Sequence, residues 1–321
     1  MSTVATVSTP AARAADLPAL LKQAQDALAD IENRFSVFKP DSELAQVNRL
    51  AGQEFFTLSP DIARVLRYAL NTSRESGGAF DPTVGPLMAV WGFRGGEIQR
   101  VPGDDELAAA RDQVGWTHVE WQAGESNRVR LARAGMKLDL GGIAKGYAVD
   151  VAFDRLRHSG FDHFLVDLGG NLRVQGSAAP HRGGWRTGVR DPFDTDALLG
   201  TLLLTNGEAV ASSGNYERFV EIDGHRYGHI MDPRSGRPME GMAGVTVIAP
   251  SGIECDALTK PMYILGPEKG RAVLALHPGC EALWVLEARP TRLVATPGFA
   301  RRFQPLPQYQ DSITTLESAD K

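Results

Sequence analysis

The chain has 321 residues, with 34 Lys or Arg against 39 Asp or Glu, a formal charge of −5. That balance argues against a dedicated nucleic-acid binder, and no apolar run approaches the ~20 residues of a membrane-spanning helix. Two cysteines, Cys255 and Cys280, make neither a disulfide framework nor a metal-spaced pair.

Glycine is the unusual entry in the composition: 34 of 321 residues, about 11 % where ~7 % is usual. Ten of the 34 fall in five adjacent pairs, so they mark turns and close backbone approaches inside folded structure. Residues 1–15 are small and polar, with no basic segment followed by an apolar one. They read as a disordered leader, and a cytoplasmic location is expected. A periplasmic one is the alternative if a signal has been removed.

From Asp16 as N-cap, Leu17, Leu20, Leu21, Ala24, Leu28, Ile31 and Phe35 recur at helical spacing. Ser59-Pro60 opens a second helix with an apolar stripe of Ile62, Val65, Leu66, Ala69 and Leu70, closing at Gly77-Gly78. A shorter helix covers about 105–114. Strands are predicted over 118–121, 128–131, 137–140, 163–168, 171–175 and 202–205, with a helix over 141–157. Residues 219–222 and 225–229 flank Asp223-Gly224, a strong hairpin signal. A strand at 245–249, helices from about 254 and over 268–277, and strands at 281–287 and 292–296 complete the chain, and 305–321 reads as a flexible tail. The pattern is α+β, with 16–304 one domain or two closely packed lobes.

Five segments could carry chemistry. In Lys137-Leu-Asp-Leu-Gly-Gly-Ile-Ala-Lys-Gly146, paired glycines between a predicted strand and helix present backbone N–H groups to an anion. Asp139 there could hold a cation and Lys145 a phosphate; a tight turn with a surface lysine is the plainer reading. Asp167, in Leu165-Val-Asp-Leu-Gly-Gly-Asn171, is either a site residue or a buried carboxylate beside a hairpin turn. Asp81-Pro82 starts a turn, and Phe80 beside it either stacks on a planar ligand or fills core. His229 and Asp232 could form an acid–base pair, or His229 could simply be hydrogen-bonded structure. Asp256 shares a helix face with Thr259 or Lys260, one turn on. With Asp139 nearby this would be an oxygen-rich site of the kind Mg²⁺ prefers.

Taken in order, the segments FSVFKPDSELAQVN, GGAFDPTVGPL with WGF, KLDLGGIAKGYAVD, LVDLGGN, VRDP, ASSGNYERF, HIMDPRSGRP and CDALTKPMYILG resemble the ApbE-type FAD:protein FMN transferases. The resemblance runs from about Phe35 to Gly266 and implies an ApbE-like, T-fold-related arrangement of mixed and antiparallel sheets packed with helices. It implies transfer of FMN from FAD to a Thr or Ser hydroxyl of an acceptor flavoprotein, as a phosphoester, with release of AMP and help from Mg²⁺. The resemblance gives Phe38, Ala79, Phe80, Asp81, Asp139, Lys145 and Ile230 roles in holding FAD. Asp256 matches the family's principal metal carboxylate, with Gly142 a backbone ligand and His229 the candidate general base. A Mg²⁺-dependent FAD pyrophosphatase and a catalytically lapsed flavin-binding protein are the alternatives.

Two departures accompany the resemblance. The metal-binding Thr or Ser four residues after Asp256 is replaced by Lys260. Thr259 could substitute, although one residue on a helix is a rotation of about 100°. Lys260 could instead reach the phosphates and supply part of the cation's charge. The usual strand before the first helix also reads as missing, as does an export signal.

Overall fold

The structure is a computed structural model and describes residues 4–317 apart from 96–97, 99, 123, 125–126, 180–182 and 195. Residues 1–3 of the predicted leader and 318–321 of the predicted tail lie outside the described residues. The chain divides into two compact units. The first comprises Met1–Asp30, Lys145–Tyr216 and Glu240–Lys321; the second comprises Ile31–Ala144 and Glu217–Met239.

The leader is not disordered over its described part. Ala5–Ser8 is strand β1, and a 3-10 turn over Ala11–Asp16 joins it to helix α1 (Leu17–Phe35). β1 is antiparallel to residues 165–168, with Ala5 opposite Leu168 and Ser8 opposite Leu165. A strand therefore does precede the first helix. Ala-Thr-Val-Ser offers only Val7 to the interior, too little alternation to announce a strand whose order comes from its pairing partner.

The second unit follows. Helix α2 (Glu43–Arg49) is capped by Ser42, whose hydroxyl accepts from the Ala45 N–H. Strand β2 (Phe56–Thr57) precedes α3 (Pro60–Glu75), which buries Ile62, Val65, Leu66 and Ala69 as its periodicity predicts. Helices α4 (Gly85–Val90) and α5 (Asp104–Arg111) and strands β3 (Val119–Trp121) and β4 (Arg128–Leu131) complete this stretch. β4 lies between β2 and β3 in an antiparallel sheet.

The strand predicted over 137–140 does not form. Lys137 makes an isolated bridge to Val84. Beyond it, the side-chain amide of Asn48 takes both the N–H and the carbonyl of Leu138, at 2.7 and 2.9 Å, and the Asp139 N–H goes to the Pro82 carbonyl at 2.7 Å. The backbone groups are satisfied without a neighbouring strand, so the segment is extended but belongs to no sheet.

Helix α6 (Ala144–His158) leads into β5 (Phe164–Leu168), β6 (Asn171–Gln175), β7 (Trp185–Arg190), β8 (Leu198–Leu204) and β9 (Ala209–Gly214), all in the first unit apart from Ala144. β10 (Phe219–Ile222) and β11 (His225–Gly228) form the predicted hairpin in the second unit. Asp223 and Gly224 both have positive φ, 51° and 76°, as a two-residue type I′ turn requires. A short antiparallel pair, β12 (Met231–Asp232) with β13 (Arg237–Pro238), ends that unit's second segment.

Back in the first unit, β14 (Met242–Ala249) is buried at all eight positions and precedes α7 (Gly252–Leu274). α7 breaks at Gly266, φ 70°, just before Pro267, which is why the sequence predicts two helices here. β15 (Glu281–Leu286), β16 (Arg292–Ala295), α8 (Pro297–Arg302), β17 (Phe303–Pro305) and β18 (Ile313–Thr315) follow. β18 pairs in parallel with β16, so the predicted flexible tail is built into the sheet as far as Thr315.

An eight-stranded sheet in the order β1-β5-β6-β9-β14-β15-β16-β18 organises the first unit, and its one parallel pair is β16 with β18. Strand β9 is interior to this sheet although its sequence is Ala-Val-Ala-Ser-Ser-Gly. The small residues carry no strand signature, yet Ser212 is within hydrogen-bond distance of Thr246 on β14, at 2.9 Å. Val174, Leu202, Leu204, Ile248, Leu283 and Phe299 are fully buried in the core against the sheet. In the second unit Trp91 centres a smaller core with Leu87, Leu107 and Met231, its indole N–H donating to the Gly236 carbonyl at 2.9 Å. The fold is α+β.

Candidate functional site

The predicted site residues fall into one set in each unit. In the first unit they gather where α6 packs on α7. Gly146 of α6 has no room for a side chain: a Cβ there would lie 2.0 Å from the Gly252 carbonyl oxygen and 2.6 Å from the Asp256 Cβ. The reciprocal approach is also tight, since a Cβ on Gly252 would lie 2.5 Å from the Gly146 oxygen. Two glycines thus bring the helix backbones together, and the Gly146 N–H donates to Asp256 Oδ2 at 2.9 Å.

Asp256 is 1 % exposed. Its second oxygen, Oδ1, is ion-paired with the ammonium of Lys260, which also donates to the Asp256 carbonyl at 3.0 Å. The Thr259 hydroxyl is engaged elsewhere. It donates to the Asp256 carbonyl at 2.8 Å and accepts from Ser213 at 2.9 Å. Thr259 therefore does not join the Asp256 carboxylate, as the helical rotation of one residue anticipates. Among the described residues no group of three His, Cys, Asp or Glu side chains is arranged to hold a metal ion.

One turn along α6, Asp150 caps α7 from outside. It accepts from the N–H groups of Gly252 and Ile253, at 2.7 and 2.9 Å, and from the Arg173 guanidinium at 2.9 Å. Burial raises its pKa, against the opposing pull of Arg173 and the two amides. Sequence reasoning missed this carboxylate because its partners lie 23 and 102 positions or more away. Asp167 accepts from the Gly170 N–H at 2.8 Å across the β5–β6 turn, where Gly169 and Gly170 both have positive φ. That matches the hairpin reading. Burial raises the Asp167 pKa, and the charge of Lys145 is close enough to pull it partly back. Among the described residues Lys145 makes no ion pair of its own.

The second unit holds Phe38, Ala79, Phe80, Asp81, Asp139, Gly142, His229 and Ile230. Asp139, expected to hold a cation, already has one in Arg94. The guanidinium pairs with Oδ2 while Oδ1 accepts from the Gly141 N–H at 2.9 Å. Arg94 also lies 5.8 Å from the centre of the Phe38 ring, and Phe38 is 66 % exposed. Arg94 follows the WGF segment directly, but a lone arginine carries no spacing signal. Gly142 lies in the turn entering α6.

Ala79, Phe80 and Ile230 are buried. Asp81 is used locally. One oxygen accepts from the Thr83 N–H and hydroxyl, at 2.8 and 2.6 Å, and the other from the Trp116 N–H at 2.9 Å. These bonds shape the turn after α3 and tether Trp116, which with Arg67, Arg74 and Trp121 lines a cavity of about 420 Å³. No sequence-predicted site residue lines that cavity.

Burial raises the Asp81 pKa more than its hydrogen bonds lower it. A carboxyl whose folded pKa lies above its unfolded one keeps its proton longer when folded. Its contribution to stability is therefore full below the unfolded pKa, near 3.9, and is lost as pH rises through the folded value. Urea unfolding between pH 4 and 6 is expected to show a shallower loss with rising pH in Asp81→Asn than in the parent. Identical slopes would remove Asp81 from this account.

His229 and Asp232 do not pair with each other. Asp232 is held by the guanidinium of Arg234, two bonds of 2.8 Å, while His229 Nδ1 lies 3.2 Å from the Arg218 carbonyl. A carbonyl can only accept, so Nδ1 carries a proton, and in the neutral ring the lone pair is on Nε2. The Phe93 ring meets the imidazole edge-on, centres 6.4 Å apart.

Comparison with known proteins fits this picture. A model of the ApbE family matches residues 1–284. The FAD:protein FMN transferase of Treponema pallidum is 36 % identical over 294 residues, 88 % of this chain and 81 % of that protein. The Escherichia coli K12 protein of the same name is 31 % identical over 263 residues, 79 % and 73 % of the two chains. Among solved structures, the ApbE protein of Thermotoga maritima matches with a TM-score of 0.82 at 30 % identity, covering 93 % of this chain and 94 % of its own. Flavin transferase ApbE from Vibrio cholerae also matches at 0.82, with 29 % identity over 94 % and 96 %. Sequence and fold agree over nearly the whole length, and the chain belongs to the ApbE family.

Proposed function

We propose that this protein transfers FMN from FAD to a Thr or Ser hydroxyl of an acceptor flavoprotein, releasing AMP. The observation that carries the reading is the relatives named FAD:protein FMN transferase, matched at 31–36 % identity over 79–88 % of this chain. In the step, the acceptor oxygen bonds to the phosphorus of the FMN half, the bond to the bridging oxygen breaks, and AMP leaves. The hydroxyl proton passes to a base.

Such a transfer is governed by neutralising oxygens and aligning the nucleophile with the leaving group. Lys145, in the first turn of α6 and without an ion pair among the described residues, supplies a point charge for a pyrophosphate oxygen. His229, protonated on Nδ1 through the Arg218 carbonyl, offers Nε2 as the proton acceptor. Asp81 and Asp139 act as positioning residues, because their carboxylate oxygens are engaged by protein donors.

The Mg²⁺ that the family resemblance implies does not fit the donors at Asp256. One oxygen is ion-paired with an ammonium, the other accepts an amide, and the neighbouring hydroxyl is committed. No step is routed through a metal there.

The test is incubation with FAD and acceptor segments bearing a flavinylation-type Thr, read by mass spectrometry and AMP release. One FMN less water added per acceptor, with equimolar AMP, is expected. AMP and FMN released equally with or without acceptor, and no adduct, would replace transfer by hydrolysis. FAD bound without turnover would leave a flavin-binding protein.

A further inference from the structure

The polar groups around Asp256 come from two helices, α6 and α7. The carboxylate is almost entirely buried, and a buried carboxylate needs an opposite charge or several strong donors. Gly146 provides one amide, reachable only because neither Gly146 nor Gly252 has a side chain at the crossing. The opposite charge comes from Lys260, four residues on along α7. Its side chain is 17 % exposed, so it spans from the buried carboxylate towards solvent.

An ammonium has three N–H donors. Two are directed at Asp256, to Oδ1 and the carbonyl oxygen. Among the described residues the third has no partner. Arg would offer a planar fork and a divalent ion would demand several oxygens, but Lys is a compact point charge suited to one carboxylate and one further anionic oxygen.

We propose that the Lys260 ammonium is the resident cation of the Asp256 carboxylate, taking the place of a divalent metal ion and offering its third N–H to a phosphate oxygen of the dinucleotide. The inference rests on the flavin-transfer reading for the identity of the ligand, but not for the absence of a metal at Asp256. Lys260 is then a binding residue for the anionic substrate, and Asp256 is the positioning residue that holds it.

The test is a Mn²⁺ titration of the full chain without nucleotide, followed by the electron paramagnetic resonance of free Mn²⁺. The parent protein is expected to show no Asp256-dependent site at sub-millimolar Mn²⁺. Lys260→Thr removes the ammonium and places a hydroxyl at the same helical position. It is expected to gain one site, lost again in the double variant Lys260→Thr/Asp256→Asn. A parent site that Asp256→Asn abolishes would overturn the proposal, as would a folded Lys260→Thr that gains none. Should Lys260→Thr fail to fold, the parent titration decides alone.

FMN transfer in excess EDTA is the second readout. The parent is expected to lose less than about twofold, whereas Lys260→Thr is expected to lose on the order of a hundredfold and recover with Mg²⁺, the usual worth of one charged stabiliser. A parent loss as large as the variant's would count against the proposal. Absence of transfer in every condition would instead sink the flavin-transfer reading, and the Mn²⁺ titration would still judge Lys260.

Discussion

Gly146→Ala is expected to lower the unfolding free energy by about 3–5 kcal/mol, the sum of an overpacked helix crossing and a damaged hydrogen bond to a carboxylate. The added methyl would sit 2.0 Å from the Gly252 carbonyl oxygen and 2.6 Å from the Asp256 Cβ. Both obstacles belong to or lie next to backbone, so no side chain can rotate out of the way, and α6 must move off α7. That movement lengthens the Gly146 N–H bond to Asp256 and disturbs the Asp150 cap on the first turn of α7. For a unit of this size the melting temperature is expected to drop by about 10 °C or more, measured by circular dichroism. A melting temperature within about 1 °C of the parent would mean the two helices are not held as closely as described. Gly252→Ala is the companion, since its methyl would lie 2.5 Å from the Gly146 oxygen and 2.9 Å from Asp150 Oδ1.

His229→Asn is expected to reduce the turnover of FMN transfer by about 10²–10⁴-fold, the range for loss of a positioned general base. Asparagine can still donate to the Arg218 carbonyl that now takes the Nδ1 proton, so local structure is preserved while the Nε2 lone pair is lost. The loss is expected in kcat, with FAD binding unchanged by titration of flavin fluorescence. A variant that transfers at the parent rate would remove His229 from proton transfer. A loss confined to FAD affinity would make it a binding residue instead.

Several parts of the fold are legible from local chemistry. The stripe of α3 and the Asp223-Gly224 turn follow from periodicity and from left-handed backbone conformations. Gly266 followed by Pro267 marks the break in α7. The errors share one physical origin. β1, β9 and β18 have few large apolar residues, and each is ordered by the strands it pairs with. Residues 137–140 carry strand-like alternation, but a distant side chain, Asn48, takes the hydrogen bonds that a strand partner would.

The candidate site divides the same way. By itself, the sequence determined which residues are candidates for the chemistry: the ordered motifs, the Gly-Gly turn before Lys145, and Lys260, one helical turn from Asp256. Only the tertiary structure decided what each charge meets. Asp139 is matched by Arg94, 45 residues earlier, and Asp150 by Arg173 and the start of α7. The Lys260 ammonium folds back to Asp256 because a buried carboxylate requires a nearby cation, and the paired glycines at 146 and 252 bring the helices close enough to complete its hydrogen bonds. Residue type and spacing are local properties, whereas desolvation and charge pairing depend on which distant segments the packed core brings together.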